Sequence, residues 1–160
     1  MTIGKHSLKE WFTITRYWSF PVSAMPVIAT FTYLFAMGLV PKDVKSIIVF
    51  ILSVIGVVIL HASGNLLSDW SDYRSGVDNE KSYSVPFLVF QHFKPEEYLN
   101  YSILLFLVGI VIGIIITFMS GPTLLLIGGI GVVLTVLYAF LKYHALGDLN
   151  IFIVFSILPI

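Results

Sequence analysis

Residues 46–78 read SIIVFILSVIGVVILHASGNLL followed directly by SDWSDYRSGVD, and this stretch decides how the chain must fold. Its first part, 46–67, is almost entirely apolar, and it is long enough for a helix to cross a bilayer, which takes about 20 residues. Its second part is polar and contains Asp69, Asp72 and Asp78. Because burying a charge at membrane depth is costly, a spanning helix that runs into three carboxylates at its end is predicted to bind a ligand there.

The composition of the whole chain also indicates a membrane protein. Of its 160 residues, 58% are hydrophobic and 11% are charged, whereas soluble domains carry about 25% charged residues. Nine Lys and Arg balance nine Asp and Glu, and no clustered basic face points to nucleic acid. The chain has no cysteine, which excludes a disulfide framework and thiolate chemistry.

Four apolar segments are long enough to span a bilayer, and a fifth begins near the end of the chain. The pattern therefore predicts an all-α, polytopic transmembrane helix bundle. Because the fifth segment is still apolar at Ile160, we expect the chain to be a fragment of a longer protein, the alternative being a short re-entrant helix. The predicted segments are residues 20–40, 46–67, 101–119, 122–140 and 149–160.

The basic residues predict the orientation in the membrane, because loops rich in Lys and Arg stay in the cytoplasm. Only Lys42 and Lys45 fall on the minority side of a four-span arrangement. We therefore expect a cell (inner) membrane protein with the N-terminus, the 68–100 loop and the 141–148 loop in the cytoplasm. The majority side holds Lys5, Lys9, Arg16, Arg74, Lys81, Lys94 and Lys142.

The acidic run has the residue types and the spacing of a cation site. Asn65, Asp69 and Asp72 stand at i, i+4 and i+7, so on a helix they share one face. Carboxylates at this spacing are well placed to hold Mg²⁺, which takes phosphate oxygens as further ligands. Together with Asp78 and Glu80 they also crowd a helix C-terminus, where the helix dipole disfavours anions. The simpler alternative is a polar helix end that emerges into water.

A second polar cluster spans 138–148, which reads YAFLKYHALGD. One interpretation makes Lys142 a diphosphate contact and Asp148 an orienting or acid/base group near an aromatic substrate. The alternative is structural: Lys142 extends to the lipid headgroups, and Asp148 caps the next helix.

The two clusters together resemble the UbiA superfamily of intramembrane aromatic prenyltransferases. Its 1,4-dihydroxy-2-naphthoate branch carries a pattern close to N-L-x-N-D-x-x-D-x-x-x-G-x-D, and residues 65–78 read NLLSDWSDYRSGVD. The segment 138–155 resembles the family's tyrosine/LK/GD segment. On this resemblance the chain is the N-terminal part of a single prenyltransferase domain, with four to five of about nine helices.

The resemblance implies an activity and its participants. A polyprenyl group passes from a polyprenyl diphosphate to an aromatic acceptor, here 1,4-dihydroxy-2-naphthoate of the menaquinone pathway, with Mg²⁺ as cofactor and the lipid bilayer as surroundings. Asp69, Asp72 and Asp78 would be metal ligands, and Asp69, Asp72 and Asp148 would be catalytic. The substrate-binding residues would be Asn65, Ser68, Arg74, Lys81, Tyr138 and Lys142.

Three departures from the family pattern qualify this assignment. Ser68 stands where the family usually has asparagine, and the 80–94 segment carries only Lys81 and Lys94 where the family often has an R-x-G-x-R-P-L segment. The family has a second acidic motif after its sixth helix, and the 160 residues end in the fifth predicted segment. We therefore expect the 160-residue chain alone to be inactive. The competing hypotheses are a small transporter or channel subunit and a non-catalytic membrane protein that binds a partner.

Overall fold

The regular elements form an antiparallel arrangement of helices, seen in a computed structural model that describes residues 6–81, 86–141 and 146–153. This part of the chain contains helices and no β-strand, as the all-α prediction requires. The helices are α1 (Leu8–Thr13), α2 (Phe20–Ala36), α3 (Val44–Ser75), α4 (Pro86–Val89), α5 (Pro95–Ser120), α6 (Thr123–Leu141) and α7 (Gly147–Phe152).

Three helical segments are long and apolar enough to cross a membrane, namely Leu8–Ala36, Val44–Ser75 and Pro95–Ser120. The first segment is interrupted where α1 ends and a 3-10 turn at Tyr17–Ser19 leads into α2. The apolar helix α6 follows α5 after a turn at Gly121. These helices give the multi-pass membrane protein that the hydropathy pattern predicts.

Local signals in the sequence explain where the long helices begin and end. Asp43 caps the start of α3, where its side chain accepts a 2.8 Å hydrogen bond from the Ser46 N–H. Gly76 ends α3 in the left-handed conformation, with φ of 76°, which glycine adopts at little cost. Pro95 and Glu97 begin α5, with the Glu97 carboxylate accepting from the Lys94 N–H at 2.7 Å.

Helices α3 and α5 form the principal contact of the bundle. Gly109 of α5 faces Leu60 of α3, where an added Cβ would lie 2.5 Å from the Leu60 Cδ2. Gly56 of α3 similarly faces Ile112 of α5, at 3.1 Å. Each helix thus receives a branched side chain of the other against a glycine, which allows a close approach.

Two serines lock the same pair of helices at the level where the membrane segment approaches the acidic run. The Ser63 hydroxyl donates to the Ser102 carbonyl and the Ser102 hydroxyl donates to the Ser63 carbonyl, both at 2.8 Å. Both residues are buried. Reciprocal bonds of this kind satisfy buried hydroxyls and fix the register of two helices.

The buried core lies at one end of the bundle, beside the acidic end of α3. It contains Ile14, Leu66, Leu88, Phe93 and Tyr98, contributed by α3, α4, α5 and the residues that flank α1 and α4. The middle of the apolar helices is largely exposed, as expected of surfaces that face lipid or further helices. The fold therefore concentrates its tight packing around the polar residues.

Candidate functional site

The centre of the candidate site is an ion pair that the fold builds from distant parts of the chain. The Arg16 guanidinium lies 2.5 Å from the Asp69 carboxylate. Asp69, on α3, is 1% exposed, while the Arg16 side chain is 32% exposed. Arg16 has a φ of 56°, which turns the chain sharply between α1 and the 3-10 turn. This turn aims the guanidinium back at α3.

A cavity of about 110 Å³ adjoins the ion pair. Both charged residues line it, together with residues from the N-terminal segment, α4 and α5. Its lining is Thr13, Ile14, Arg16, Trp18, Asp69, Pro86, Phe87 and Tyr98. A larger cavity of about 330 Å³ lies at the α5–α6 turn, but its lining is almost wholly apolar. We place the candidate site at the smaller cavity because it holds the charged groups.

Tyr98 adds a hydrogen-bond donor to this cavity. Its side chain is fully buried, and its hydroxyl makes no hydrogen bond with any residue that the structure describes. A buried hydroxyl without a partner costs about 1–3 kcal/mol. A polar ligand or a water molecule in the cavity would remove that cost.

Asn65, a predicted substrate-binding residue, is used to hold the N-terminal segment. Its amide nitrogen donates to the Thr15 carbonyl at 2.9 Å and to the Ser19 hydroxyl at 3.1 Å. One turn earlier, the Nδ1 and Nε2 of His61 lie 2.6 Å from the Ser23 hydroxyl and 3.3 Å from the Ser19 hydroxyl. These contacts anchor the segment that carries Arg16.

The three predicted metal ligands lie along the end of α3 and the turn that follows it. Asp72 and Ser68 are half-buried, and Asp78 is buried in the turn, where its N–H donates to the Asp72 carbonyl at 3.2 Å. Among the residues that the structure describes, Asp69, Asp72 and Asp78 do not converge as a three-ligand group. Their role as ligands stays a prediction.

The other predicted site residues are not gathered at this cavity. Arg74 and Lys81 are exposed, and the Arg74 guanidinium lies 5.8 Å from the centre of the Trp70 ring. Tyr138 is half-buried on α6, and Asp148 is exposed in the first turn of α7, and neither lines the cavity. Lys142 lies outside the described residues. Their predicted roles therefore stay predictions.

Sequence reasoning missed two residues of the site, Arg16 and Tyr98. Arg16 counted only as a marker of orientation, which is what an arginine before an apolar run ordinarily indicates. Tyr98 gave no signal, because its place in the cavity depends on α5 beginning six residues before the predicted span at residue 101. Both depend on contacts between distant segments.

The donor set at the acidic end suits a hard divalent cation. Asp69 and Asp72 offer carboxylate oxygens, the ligands that Mg²⁺ prefers. The buried Asp69 carboxylate already lies against the Arg16 guanidinium, which balances its charge, so a metal ion at this point would share the carboxylate with Arg16. By residue type the site fits such an ion, which Asp69 and Asp72 would hold.

Comparisons with known proteins identify the family. Residues 29–160 match the UbiA prenyltransferase family. A protein of Xenopus tropicalis named UbiA prenyltransferase domain-containing protein 1 is 28% identical over an alignment 174 positions long. The alignment covers 99% of this chain and 46% of that protein. Its namesake in Danio rerio is 28% identical over 160 residues, which cover 91% of this chain and 44% of that protein.

The chain thus spans less than half the length of these curated relatives. No solved structure matches it. The relatives' names do not identify the 1,4-dihydroxy-2-naphthoate branch, so the comparisons support the family and not that branch. Because the match to the family covers most of the chain, from the middle of α2 onward, the chain belongs to the UbiA prenyltransferase family.

Proposed function

We propose that this protein takes part in the Mg²⁺-dependent transfer of a polyprenyl group from a polyprenyl diphosphate to an aromatic acceptor, and that the cavity at Arg16 and Asp69 receives the diphosphate. The observation that carries the proposal is the ion pair of a buried Asp69 with Arg16 in the wall of that cavity. Family membership supplies the reaction class. The cavity lies at the end of a membrane helix, where a lipid-soluble donor would present its charged end.

Each residue of the cavity has a distinct task in this proposal. The Arg16 guanidinium donates to diphosphate oxygens, for which its planar fork is suited. Tyr98 donates its hydroxyl to the same group. Asp69 and Asp72 hold the divalent cation, which when bound neutralises negative charge on the leaving diphosphate. Ser68 contacts the hydrated cation.

The remaining predicted residues would act around the cavity and not in its wall. Exposed Arg74 and Lys81 would attract the diphosphate before it enters, and Lys142 would contact it from the 141–148 loop. Asn65 would position the segment that carries Arg16, because it bonds to Thr15 and Ser19.

The acceptor we propose is 1,4-dihydroxy-2-naphthoate, on the path to menaquinone. In that reaction the allylic carbon–oxygen bond of the donor breaks and diphosphate leaves with the electron pair. A ring carbon of the acceptor then forms the new carbon–carbon bond and releases its carboxylate as CO₂. Tyr138 and Asp148 would line the acceptor side, supported by the resemblance of segment 138–155 to the family pattern.

The donor half of the proposal is tested by binding. The chain in lipid nanodiscs is titrated with a non-hydrolysable polyprenyl thiolodiphosphate, with and without Mg²⁺. We expect saturable, Mg²⁺-dependent binding that Asp69→Asn/Asp72→Asn weakens by more than about tenfold, since two charge-assisted contacts are lost. Asp43→Asn, at the other end of α3, is the matched control and should bind as the unchanged chain does.

Two outcomes would contradict the donor half of the proposal. One is binding that does not depend on Mg²⁺, and the other is an equal loss of affinity in the Asp69/Asp72 variant and the Asp43 variant. The acceptor half is tested separately by adding radiolabelled polyprenyl diphosphate and 1,4-dihydroxy-2-naphthoate to membranes that contain the complete product of the gene. Product made from another aromatic acceptor and not from the naphthoate would overturn the acceptor assignment while leaving the donor site intact.

A further inference from the structure

A second cluster of ligating side chains lies apart from the Arg16–Asp69 cavity. His6, Glu10 and His92 bring one ligand atom each within 4.8 Å of the others. The His92 Nε2 lies 2.7 Å from the Glu10 Oε1, and the rings of His6 and His92 are 5.4 Å apart at their centres. None of the three residues lines that cavity.

The burial and the contacts of the His6 side chain indicate a ligand at this cluster. The side chain is only 7% exposed, stacked on Phe93 at 3.7 Å and set against the edge of Trp11 at 5.7 Å. Its Nε2 is buried and has no hydrogen-bond partner among the described residues, although the Glu97 Oε2 lies 3.4 Å away. A buried imidazole nitrogen held without a hydrogen bond beside two carboxylates is well placed to bind a cation.

The neighbouring contacts leave the right atoms facing the cluster. The Glu10 Oε2 accepts from the N–H and the hydroxyl of Ser7 in a capping box, so its Oε1 is the atom that faces His92. The Glu97 Oε2 accepts from the Lys94 N–H. Glu97 therefore serves as a nearby negative charge and Glu10 as a ligand.

We propose that His6, Glu10 and His92 bind a divalent transition-metal ion of the Zn²⁺ class. Two imidazoles and a carboxylate are typical zinc ligands, whereas Mg²⁺ prefers oxygen alone. Ligands at about 2.0–2.1 Å in a tetrahedron stand about 3.3 Å from one another, so small side-chain rotations would close the site around the ion. The charges of Glu10 and Glu97 would balance the ion, and water would complete its coordination.

The ion would join parts of the chain that are far apart in sequence. His6 precedes α1, Glu10 lies on α1, and His92 lies in the turn between α4 and α5. Because α1 leads directly to Arg16, fixing α1 would also fix the approach of Arg16 to Asp69. The proposed site is therefore structural and is separate from the cation at Asp69 and Asp72.

The test is metal binding by the full chain, purified in detergent without a histidine tag and stripped with a chelator. Zn²⁺ is titrated in competition with a chromophoric chelator, and bound metal is counted by mass spectrometry. We expect one Zn²⁺ per chain and, with Co²⁺, the visible absorption of a four-coordinate site. His6→Asn should weaken Zn²⁺ binding by more than about tenfold, because one of three protein ligands is lost.

His6 lies outside every helix, so His6→Asn should leave the helical circular dichroism unchanged. Glu10→Gln should also weaken binding, whereas Glu96→Gln, an exposed acid beside Glu97, and Asp69→Asn/Asp72→Asn should not. The proposal is overturned if the unchanged chain binds no stoichiometric Zn²⁺ or Co²⁺. It is equally overturned if His6→Asn binds Zn²⁺ as tightly as the unchanged chain.

Discussion

At the scale of single residues, the pairing of Arg16 with Asp69 is the most consequential contact of the molecule. Asp69 is almost completely buried, and a buried carboxylate is tolerated only with a compensating charge or hydrogen bonds. Arg16 provides that charge, although it is far from Asp69 in the sequence and no local pattern links the two residues. The same pair stabilises the fold and, in the proposed function, lies in the wall of the diphosphate site.

Replacing Arg16 by glutamine should therefore destabilise the protein. The loss of the cation leaves Asp69 buried, and we expect a decrease of about 1–3 kcal/mol in the free energy of unfolding, less than for a fully buried pair because Arg16 is partly exposed. Urea unfolding in detergent, followed by tryptophan fluorescence, measures the change.

Arg74→Gln, which removes an exposed arginine at the end of α3, is the matched control, with an expected change below about 0.5 kcal/mol. Adding Asp69→Asn to Arg16→Gln should restore part of the stability, because the buried charge is then gone. Equal effects of the two arginine changes would show that the ion pair contributes nothing particular.

A second residue, Asp43, gives the protein a defined response to pH. Hydrogen bonds from Ser46 hold the pKa of the Asp43 carboxyl below its ordinary value of 3.8. The ionised form is the one that caps α3, so its contribution is complete above pH 3.8 and is lost as the pH falls through the lowered pKa.

Asp43→Ala should accordingly lower thermal stability at pH 7 and should differ less from the unchanged chain as the pH falls below about 3.8. Melting followed by circular dichroism between pH 2.5 and 7 measures this difference. Asp43→Ser keeps a capping oxygen that carries no charge. The difference in melting temperature between Asp43→Ser and Asp43→Ala should therefore change little with pH. A constant Asp43→Ala effect at all pH values would rule out the capping carboxylate as its cause.

At the scale of the elements, helices α3 and α5 are held together by two kinds of contact. Gly109 and Gly56 each receive a branched side chain of the other helix, and Ser63 and Ser102 exchange hydrogen bonds beside them. Gly109 and Gly113 stand four residues apart, a spacing of small residues that favours close helix packing, and Gly109 lies in such a contact with Leu60. Gly113 does not take part in this contact, since a Cβ there would have no atom of the described residues within 4 Å.

Gly109→Ala should weaken the α3–α5 contact. Its Cβ would overlap Leu60, whose Cγ stands at 2.7 Å as well as its terminal Cδ2, so more than a methyl rotation is needed. We expect a loss of about 1–3 kcal/mol, as for other overpacked contacts, measured by unfolding in mixed micelles.

Gly113→Ala is the matched control in the same helix and should be neutral or slightly stabilising, because alanine favours helix and meets no atom. Adding Leu60→Ala to Gly109→Ala should recover part of the loss by making room. If both glycine changes have the same effect, helix propensity rather than packing decides the outcome.

The elements were largely predictable from hydropathy, and their ends were not. Residues 46–67 form a helix as expected, but α3 continues to Ser75 because nothing before Gly76 interrupts it. Asp69 and Asp72 are therefore carried on the helix. Hydropathy marks where a helix meets the membrane, whereas its true end depends on capping residues such as Asp43 and Gly76.

The site was predictable in its acidic half only. Asp69 stands out because a carboxylate after an apolar span is unusual, yet its partner Arg16 and its neighbour Tyr98 come from segments that only the folded chain brings together. The position of Asn65 suggested a ligand contact, which stays a prediction, and the structure adds that its amide nitrogen donates to Thr15 and Ser19.

At the scale of the whole molecule, the polar groups collect at one end of the bundle. The N-terminal segment, the acidic end of α3, α4 and the start of α5 meet there, around the core of Ile14, Leu66 and Phe93. The 37–43 loop lies at the other end, between α2 and α3. The proposed diphosphate site and the proposed zinc site thus share one face of the membrane.

Because the chain has no cysteine, single cysteines can test this arrangement in intact membranes. Leu8→Cys and Val77→Cys, both exposed at the polar end, should react with a membrane-impermeant maleimide from one side. Leu39→Cys, in the opposite loop, should react from the other side. With right-side-out cells, only the Leu39 variant should be labelled if the polar end is cytoplasmic.

The unchanged, cysteine-free chain gives the background for this labelling. Labelling of the Leu8 and Val77 variants in right-side-out cells, with the Leu39 variant protected, would reverse the proposed orientation. Labelling of Leu8 and Val77 from different sides would contradict the common face itself.

The unbroken length of α3 connects the acidic residues to the thickness of the membrane. Its 32 residues extend about 48 Å, whereas the hydrocarbon layer measures about 30 Å. A helix that is too long for its bilayer tilts, and thinner or thicker bilayers change that tilt. Since Asp69 and Asp72 lie on the same rigid rod as the span, their height above the lipid tails follows the acyl-chain length and sterol content of the host membrane. Lipid composition would then set how deeply a prenyl chain must sit for its charged end to reach them.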